Sequence, residues 1–393
     1  CSSPEKSMDK KSKGKVFVGL SGGVDSSVSA ALLQKQGFTI VGVFLKVWQP
    51  EFLRGSGVCT ETADRRDAMR VAAHLKIPFL TLDCSKEYKK EVVDNMIAEY
   101  RAGRVPNPDV LCNKEVKFGV FLQEAKKRGA DFIATGHYAR IRSDHSLPTT
   151  HYQLLRGVDK NKDQSYFLWT LTQEHLASTL FPVGGFEKKK VRMLAKKFGL
   201  PTAERKDSQG ICFIGKADMK EFLQHYIPRE RGRVLDSDGR NIGTHDGVSY
   251  YAIGERHGFK VRGRTDAAPL YVVAKDIKRN TMTVAPKNRE SAPESDTVIL
   301  AEMHWIHEAP TRGKMYTAHV RYRGTDIPAT IEAGAQETIV RLSKREFISE
   351  GQSLVLYDGP VCMGGGIVRG LCPHTFCCRM HLCFKRCDKR GSK

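Results

Sequence analysis

Three short stretches of this 393-residue chain carry side chains whose types and spacing suit chemistry. The first is Ser21-Gly22-Gly23-Val24-Asp25-Ser26-Ser27, set between the apolar run Val16-Phe17-Val18-Gly19-Leu20 and the helix-like run Val28-Ser29-Ala30-Ala31-Leu32-Leu33. Adjacent glycines let the backbone approach an anion, serine hydroxyls donate hydrogen bonds, and the N–H groups of a helix start favour negative charge. The expected ligand is a nucleotide phosphate. The lysine-bearing Gly-x-x-x-x-Gly-Lys-[Ser/Thr] loop is absent, and no Gly-x-Gly-x-x-Gly turn follows this strand. The second stretch is Pro106-Asn107-Pro108-Asp109-Val110-Leu111-Cys112-Asn113, and the third is Lys206-Asp207-Ser208-Gln209-Gly210-Ile211-Cys212-Phe213. A helix is expected over Lys114 to Lys127, so Cys112 would sit at its start, where the backbone dipole and Lys114 favour the nucleophilic thiolate. Asp109, three residues earlier, is placed to act as general acid or base. Two loop cysteines beside a phosphate site suggest sulfur transfer: one carries a persulfide, and the other attacks it and leaves a disulfide.

The elements that must position these residues follow from hydrophobic pattern. Thr39 to Leu45, Phe79 to Cys84 and Asp131 to His137 read as strands, and Glu61 to Leu75 and Lys86 to Ala102 as helices. Such alternation predicts an α/β N-terminal domain, a parallel sheet with helices on both faces, whose ligands lie beyond the carboxyl ends of the strands. Gln164 to Leu171 and Glu187 to Phe198 read as helical. Farther on, Gly, Asp and Arg become frequent and the apolar runs shorten and alternate, which predicts a β-rich remainder. The expected organisation is a basic extension over 1–14, a nucleotide-binding catalytic domain over 15–213, a small β-rich central domain over 214–282, a C-terminal β-barrel over 283–370, and a flexible Cys-rich tail over 371–393.

The net charge is +20; residues 1–15 carry +3 and residues 371–393 carry +5, which leaves +12 in the body. A basic body favours a polyanionic partner. No apolar run is long enough to cross a membrane, so a soluble protein is expected; a cytoplasmic location and a monomer are the simplest expectations beside it. Met8 reads as a natural start, with residues 1–7 an extension lacking a signal-peptide core. Of eleven cysteines, six are scattered, unlike a secreted disulfide framework. The other five, Cys372, Cys377, Cys378, Cys383 and Cys387, crowd the tail without paired Cys-x2-Cys knuckles, so no metal site is expected there.

The Ser21 to Ser27 turn resembles the pyrophosphate loop of enzymes that split ATP between its first two phosphates. Gly19 to Ser26, Pro106 to Asn113, Ala134-Thr135-Gly136-His137-Tyr138, Lys162 to Tyr166, Asp207 to Gly215 and Gly364-Gly365-Gly366 together resemble the tRNA-specific 2-thiouridylase family over about residues 15–368. The resemblance implies an adenine-nucleotide hydrolase-like N-terminal domain. It implies ATP binding by Gly19, Leu20, Ser21, Gly22, Gly23, Val24, Asp25 and Ser26, with Leu45 and Gly136 lining the adenylate site. Asn107, Pro108 and Asp109 would meet the target base, and His137, Lys162, Asp163, Gln164, Arg321, Tyr322 and Gln352 would contact tRNA. Cys212 would receive the persulfide and Cys112 would be the partner nucleophile, with a 112–212 disulfide at turnover. The implied reaction adenylates the 2-oxygen of a wobble uridine with ATP and Mg²⁺, replaces it by sulfur, and releases AMP and pyrophosphate. Its partners would be tRNAs for Lys, Glu and Gln and a persulfide donor such as a cysteine desulfurase or a sulfur-relay carrier. Two rivals remain: a small-molecule ATP-dependent ligase, for which both cysteines would be dispensable, and a non-catalytic tRNA-binding protein, whose binding would ignore ATP.

Overall fold

The computed structural model describes residues 12–53, 61–144, 150–207, 218–262, 268–286, 294–333 and 338–372. The chain divides into two compact units: one comprises residues 1–89, 112–165 and 171–216, and the other 90–111, 166–170 and 217–393.

The first unit is built on a parallel sheet. Its strands are β1 (Lys15–Gly19), β2 (Thr39–Lys46), β3 (Phe79–Asp83), β4 (Phe132–Ala134) and β7 (Thr179–Leu180), in the order β3-β2-β1-β4-β7. β1 pairs with β2 from Lys15↔Thr39 to Gly19↔Val43, and with β4 from Val16↔Phe132 to Val18↔Ala134. Val16, Phe17 and Val18 are all buried, as a central strand covered on both faces requires. Val16, Val18, Ile40 and Phe44 pack against α1 (Val24–Lys35) and α2 (Glu61–Leu75) through Ala30, Leu33, Ala68 and Val71. Phe17 and Val43 line a crevice on the other face with Phe121 and Ala125 of the helix Phe121–Lys127. Chain order runs outward from β1 to β3 and resumes on the other side at β4, which makes the carboxyl ends of β1 and β4 the topological switch point, where doubly wound sheets bind ligands.

A third helix, α3 (Lys188–Lys197), packs on α1 around Val24, Val28, Ala31, Val191 and Ala195. Two expectations differ in detail. After β4 comes an antiparallel hairpin of β5 (Ala139–Asp144) and β6 (His151–Arg156), which is absent from the expected elements, and where a helix is expected over Gln164 to Leu171 only Ser165–Leu168 forms a single 3₁₀ turn. The helix expected from Lys114 starts earlier: Pro108–Leu111 is its first turn, a π-helical stretch follows over Cys112–Val120, and Phe121–Lys127 completes it.

The second unit is β-rich. β8 (Gly232–Leu235), β9 (Asn241–His245), β10 (Lys260–Val261), β11 (Leu270–Asp276) and β12 (Thr281–Pro286) form a sheet in the order β10-β9-β8-β12-β11, antiparallel except for β8 and β12. β13 (Glu294–Trp305), β14 (Tyr316–His319), β15 (Ile327–Ala333), β16 (Thr338–Phe347), β17 (Ser353–Asp358) and β18 (Val361–Cys372) form a six-stranded barrel, closed where β18 pairs with β13. Val298, Leu300, Ile331, Val340, Leu354 and Leu356 fill it. The glycine triplet serves this closure: a Cβ at Gly364 would lie 2.1 Å from the His304 carbonyl and one at Gly365 2.2 Å from that of Leu354. β18 reaches Cys372, so the first two residues assigned to the tail belong to a strand.

Candidate active site

At the switch point the backbone leaves β1, turns through Ser21-Gly22-Gly23 and enters α1. Gly22 has φ +74°, and a Cβ there would meet the Asp64 carbonyl at 2.4 Å, so the turn requires glycine. The turn is braced from within: Ser21 N donates to Ser26 Oγ at 3.2 Å, Gly23 N to Ser21 Oγ at 3.3 Å, and Ser27 Oγ to the Gly23 carbonyl at 2.7 Å. Arg205 holds it from outside, donating to the Gly22 carbonyl at 2.9 Å and to Asp67 at 2.6 Å, and pairing with Asp64. Gly23 occupies the N-cap of α1, and no side chain caps that end. The first N–H groups of a twelve-residue helix therefore face the turn without a capping side chain, which suits a polyanion. The β4 end closes on the same place, since a Cβ at Gly136 would lie 2.7 Å from Ser26 N and 2.9 Å from the Asp25 carbonyl carbon.

Asp25, in the first turn of α1, is held by two partners. Tyr138 Oη donates to its Oδ1 at 2.8 Å, and Lys188 Nζ reaches both carboxylate oxygens at 2.6 and 2.7 Å. Burial and the Asp25 charge raise the Tyr138 hydroxyl far above its ordinary pKa, so it stays a donor. Lys188, whose side chain is 12% exposed, also contacts Asp207 at 3.0 Å. Asp207 takes further cations, Lys162 at 2.7 Å and Arg192 at 2.6 Å. Burial alone would raise the Asp207 carboxyl, but hydrogen bonds from Lys162 and Lys188 outweigh it and lower the pKa to about 2. Asp207 opens the stretch that contains Cys212, and Cys212 lies outside the described residues.

The other expected residues of this unit are placed as follows. Leu45 is half-buried near the end of β2, in register with Leu82 of β3. Gln164 is bound to Tyr138 at both ends: its Oε1 accepts from Tyr138 N and its own N donates to the Tyr138 carbonyl, each at 2.9 Å. The Asp163 carboxylate ties its own turn, accepting from Gly157 N, Ser165 N and Ser165 Oγ at 2.9 to 3.1 Å. His137 is 7% exposed, its Nδ1 is 2.6 Å from Thr135 Oγ1, and its ring lies between Phe118 and Phe181 with centroids 5.9 Å from each. Burial, assisted by Lys117, lowers its pKa well below the usual value and keeps it neutral. Cys112 is 3% exposed and lies one turn inside the helical run, so the expected thiol at a helix start is not what the fold provides. Lys114, expected to support that thiol, pairs with Glu115 at 3.1 Å.

The second unit gathers a group of its own around Tyr166. The Tyr166 hydroxyl donates to the Ser353 carbonyl at 2.8 Å and shares a hydrogen bond with the Asn107 side chain. Tyr322 packs on Phe167 at 4.4 Å and on Tyr166 at 6.4 Å, with the Arg323 guanidinium 5.1 Å over its ring. Arg321 is exposed beside it, and Pro108 is buried. Gln352 Nε2 donates to the carbonyls of Val105 at 2.7 Å and Pro106 at 3.3 Å. Asn107, Tyr322 and Gln352, distant in sequence, thus share one neighbourhood. The residues sequence reasoning missed are Lys188, Arg192 and Arg205; the i, i+4 spacing of Lys188 and Arg192 on one helix face was the available signal. Among the described residues, no group of three His, Cys, Asp or Glu side chains is set to hold a metal, and no helix is long and apolar enough to cross a membrane.

Family models match the chain in three consecutive segments: a tRNA methyl transferase HUP domain over residues 14–216, a tRNA methyl transferase PRC-barrel domain over 220–286, and an aminomethyltransferase β-barrel domain over 295–368. The tRNA-specific 2-thiouridylase MnmA of Streptococcus thermophilus strain CNRZ 1066 is 44% identical over 367 residues, covering 92% of this chain and 96% of that protein. The protein of the same name from strain LMD-9 matches to the same extent. Among solved structures, a 4-thiouridine synthetase in complex with RNA and bound ATP aligns at 22% identity over 55% of this chain and 50% of that chain, with a TM-score of 0.32. NMN synthetase from Francisella tularensis aligns at 16% identity over 56% of this chain and 75% of that chain, with a TM-score of 0.31. On the relatives matched along almost their whole length, this chain belongs to the tRNA-specific 2-thiouridylase family.

Proposed function

We propose that this protein thiolates the 2-position of the wobble uridine of tRNA at the expense of ATP. The observation that carries the reading is the uncapped start of α1 behind Ser21 to Ser26, in a chain 44% identical to a 2-thiouridylase along nearly its full length. ATP is a substrate here: its phosphates would be received by the backbone N–H groups and serines of that turn, with Gly136 leaving room beside it. Tyr138 and Lys188 hold the Asp25 carboxylate, and the lysine offsets its charge. Mg²⁺ fits as a companion of the phosphates rather than in a cage of protein carboxylates, since Asp25, the carboxylate of the turn, is already paired.

Adenylation of the uridine 2-oxygen makes AMP the leaving group and releases pyrophosphate. The persulfide on Cys212 supplies sulfur, either by direct attack at C2 or as sulfide set free by Cys112. In the first route the terminal sulfur bonds to C2, AMP departs, and Cys112 thiolate then breaks the S–S bond. Both routes end with the thiolated base and a 112–212 disulfide, which a reductant must reopen. Asn107, Pro108 and Asp109 would face the base, flipped out of a single-stranded anticodon loop, and Arg321 and Tyr322 offer the cation and aromatic face that suit RNA. A persulfide-carrying protein is the class of partner that must load Cys212.

The test is mass spectrometry of nucleosides from unmodified tRNA incubated with the protein, ATP, Mg²⁺ and a persulfide donor. Sulfur is expected in the wobble uridine with wild type, and none without ATP or with Cys112→Ser or Cys212→Ser. AMP formed on another acceptor, with no sulfur in RNA, would assign the protein to the small-molecule ligases.

A further inference from the structure

Helix α3 reads Lys188-Lys189-Lys190-Val191-Arg192-Met193-Leu194-Ala195-Lys196-Lys197, a run of cations with no acid among them. Two of the cations turn inward, where Lys188 and Arg192 hold Asp207 at 3.0 and 2.6 Å. Val191 and Ala195 pack on α1. The remaining side is exposed and carries Lys189, Lys190, Met193, Lys196 and Lys197. At about 100° per residue these side chains lie within an arc of about 120° and along about 12 Å of helix, with Met193 at the middle. Met193 is 61% exposed. Lys196 pairs with Glu204 at 2.9 Å, whereas no carboxylate among the described residues pairs with Lys189, Lys190 or Lys197.

Local structure does not call for this charge. Lys189 and Lys190 stand in the first turn, where the helix dipole favours acids, and only Glu187 at the N-cap offsets them. Unpaired cations side by side also repel one another. The basic face extends to α2: His74 Nε2 lies 2.8 Å from the Phe198 carbonyl oxygen and joins the ends of the two helices, and Arg66 and Arg70, eight and four residues before His74, are exposed on the same side of α2. Cations around an exposed methionine have the make-up of a protein-docking face, an adaptable apolar centre within a charged rim, whereas a phosphate backbone gains nothing from a thioether. The place of the face narrows the partner. The inward side of the same helix holds Asp207, which precedes Cys212 by five residues, no more than about 18 Å of extended chain.

We propose that the exposed face of α3 docks the persulfide-bearing protein that loads Cys212, a partner presenting an acidic surface with an apolar recess for Met193. The proposal rests on the thiolation reading for the identity of that partner. The transfer the dock serves is balanced in itself. Cys212 thiolate attacks the terminal sulfur of the partner's persulfide, a new S–S bond forms as the partner's S–S bond breaks, and the partner's cysteine departs as thiolate. Lysines on the rim of such a face hasten encounter with an acidic partner, an effect that salt weakens.

The experiment supplies the full-length chain with sulfur in two ways: from a cysteine desulfurase with cysteine, and from inorganic sulfide, which needs no docking. Wild type is compared with Lys189→Glu/Lys190→Glu/Lys197→Glu and with Met193→Asp. Two of the three glutamates stand in the first turn of α3, where they suit the helix dipole, so the triple variant keeps its fold. Desulfurase affinity is measured by titration calorimetry, beside tRNA affinity and the thiolation rate from each sulfur source. Both variants should bind the desulfurase with Kd higher by about tenfold or more, and the cysteine-driven rate should fall in step; the sulfide-driven rate and tRNA Kd should stay within about twofold of wild type, and the salt dependence of desulfurase binding should flatten in the triple variant. Desulfurase affinity unchanged in the variants, or absent in wild type, would overturn the proposal. Weakened tRNA binding with desulfurase binding intact would give the face to RNA instead. Wild type that thiolates tRNA from neither source would refute the functional reading, while the desulfurase titration would still decide the dock.

Discussion

Lys188→Met is the substitution whose effects can be worked most fully from the structure. The ammonium sits between Asp25 and Asp207, with its own side chain 12% exposed and theirs 31% and 30%. Breaking a fully buried pair by removing one partner costs about 3–5 kcal/mol. Here the loss is smaller, because Asp207 keeps Lys162 and Arg192, Asp25 keeps the Tyr138 hydroxyl, and water reaches about a third of each carboxylate. A cost of about 2 kcal/mol follows, which lowers the melting temperature of a unit of this size by about 4–8 °C. ATP affinity should fall as well: for unit charges about 6 Å apart at an effective dielectric constant of about 40, the Coulomb energy is about 1.4 kcal/mol, or tenfold in Kd. Scanning calorimetry and ATP titration calorimetry measure the two effects. The double variant Lys188→Met/Asp25→Asn removes the uncompensated carboxylate and should recover more than half of both losses. A single variant with melting temperature within about 1 °C and Kd within about twofold of wild type would refute the assignment of Lys188 as the counter-charge of the phosphate turn.

Asp207 gives a pH signature. Its folded pKa is lowered to about 2 while the unfolded value is about 3.9, so its contribution is complete above about pH 4 and disappears as pH falls through 2. Melting temperature should therefore drop more steeply between pH 4 and 2 in wild type than in Asp207→Asn, and parallel curves would contradict the ion network. Gly136→Ala places a methyl group 2.7 Å from Ser26 N, against backbone that cannot swing aside; ATP affinity should fall by about tenfold or more while the circular dichroism spectrum is retained. Cys84 is fully buried, and burial pushes its thiol up to about 12, leaving about one thiolate in ten thousand at pH 8; in maleimide labelling it should react only on unfolding. Fast native labelling at Cys84 would contradict the packing beneath β3.

The parts of this molecule that sequence conveyed are those with local causes. Apolar runs flanked by Gly-Gly and by helix-forming residues announced β1, the turn and α1, and α2 spans Glu61–Leu75 as its pattern indicated. The β5–β6 hairpin was missed because Ala139-Arg140-Ile141-Arg142 alternates over only a few residues and carries two arginines, a weak period-two signal. The helix bearing Cys112 begins before Lys114 because proline is favoured at the first helical position, where Pro108 sits, although Pro106-Asn107-Pro108 is also composed of residues common in turns. The ion network was out of reach for another reason: Asp25 and Lys188 are 163 residues apart, and only the packing of α3 on α1 brings them together. Gln352 is a similar case, since no local pattern relates it to the Pro106 carbonyl about 246 residues earlier.

The most direct test of the account uses tRNA whose wobble uridine carries oxygen-18 at the 2-position, incubated with the protein, ATP, Mg²⁺ and a persulfide donor. If ATP activates that oxygen by adenylation, each thiolated base should leave one labelled AMP, with the label in its phosphate and none in pyrophosphate. Thiolated base accompanied by unlabelled AMP, or label recovered in inorganic phosphate, would contradict adenylation of the base as the step this fold was built to perform.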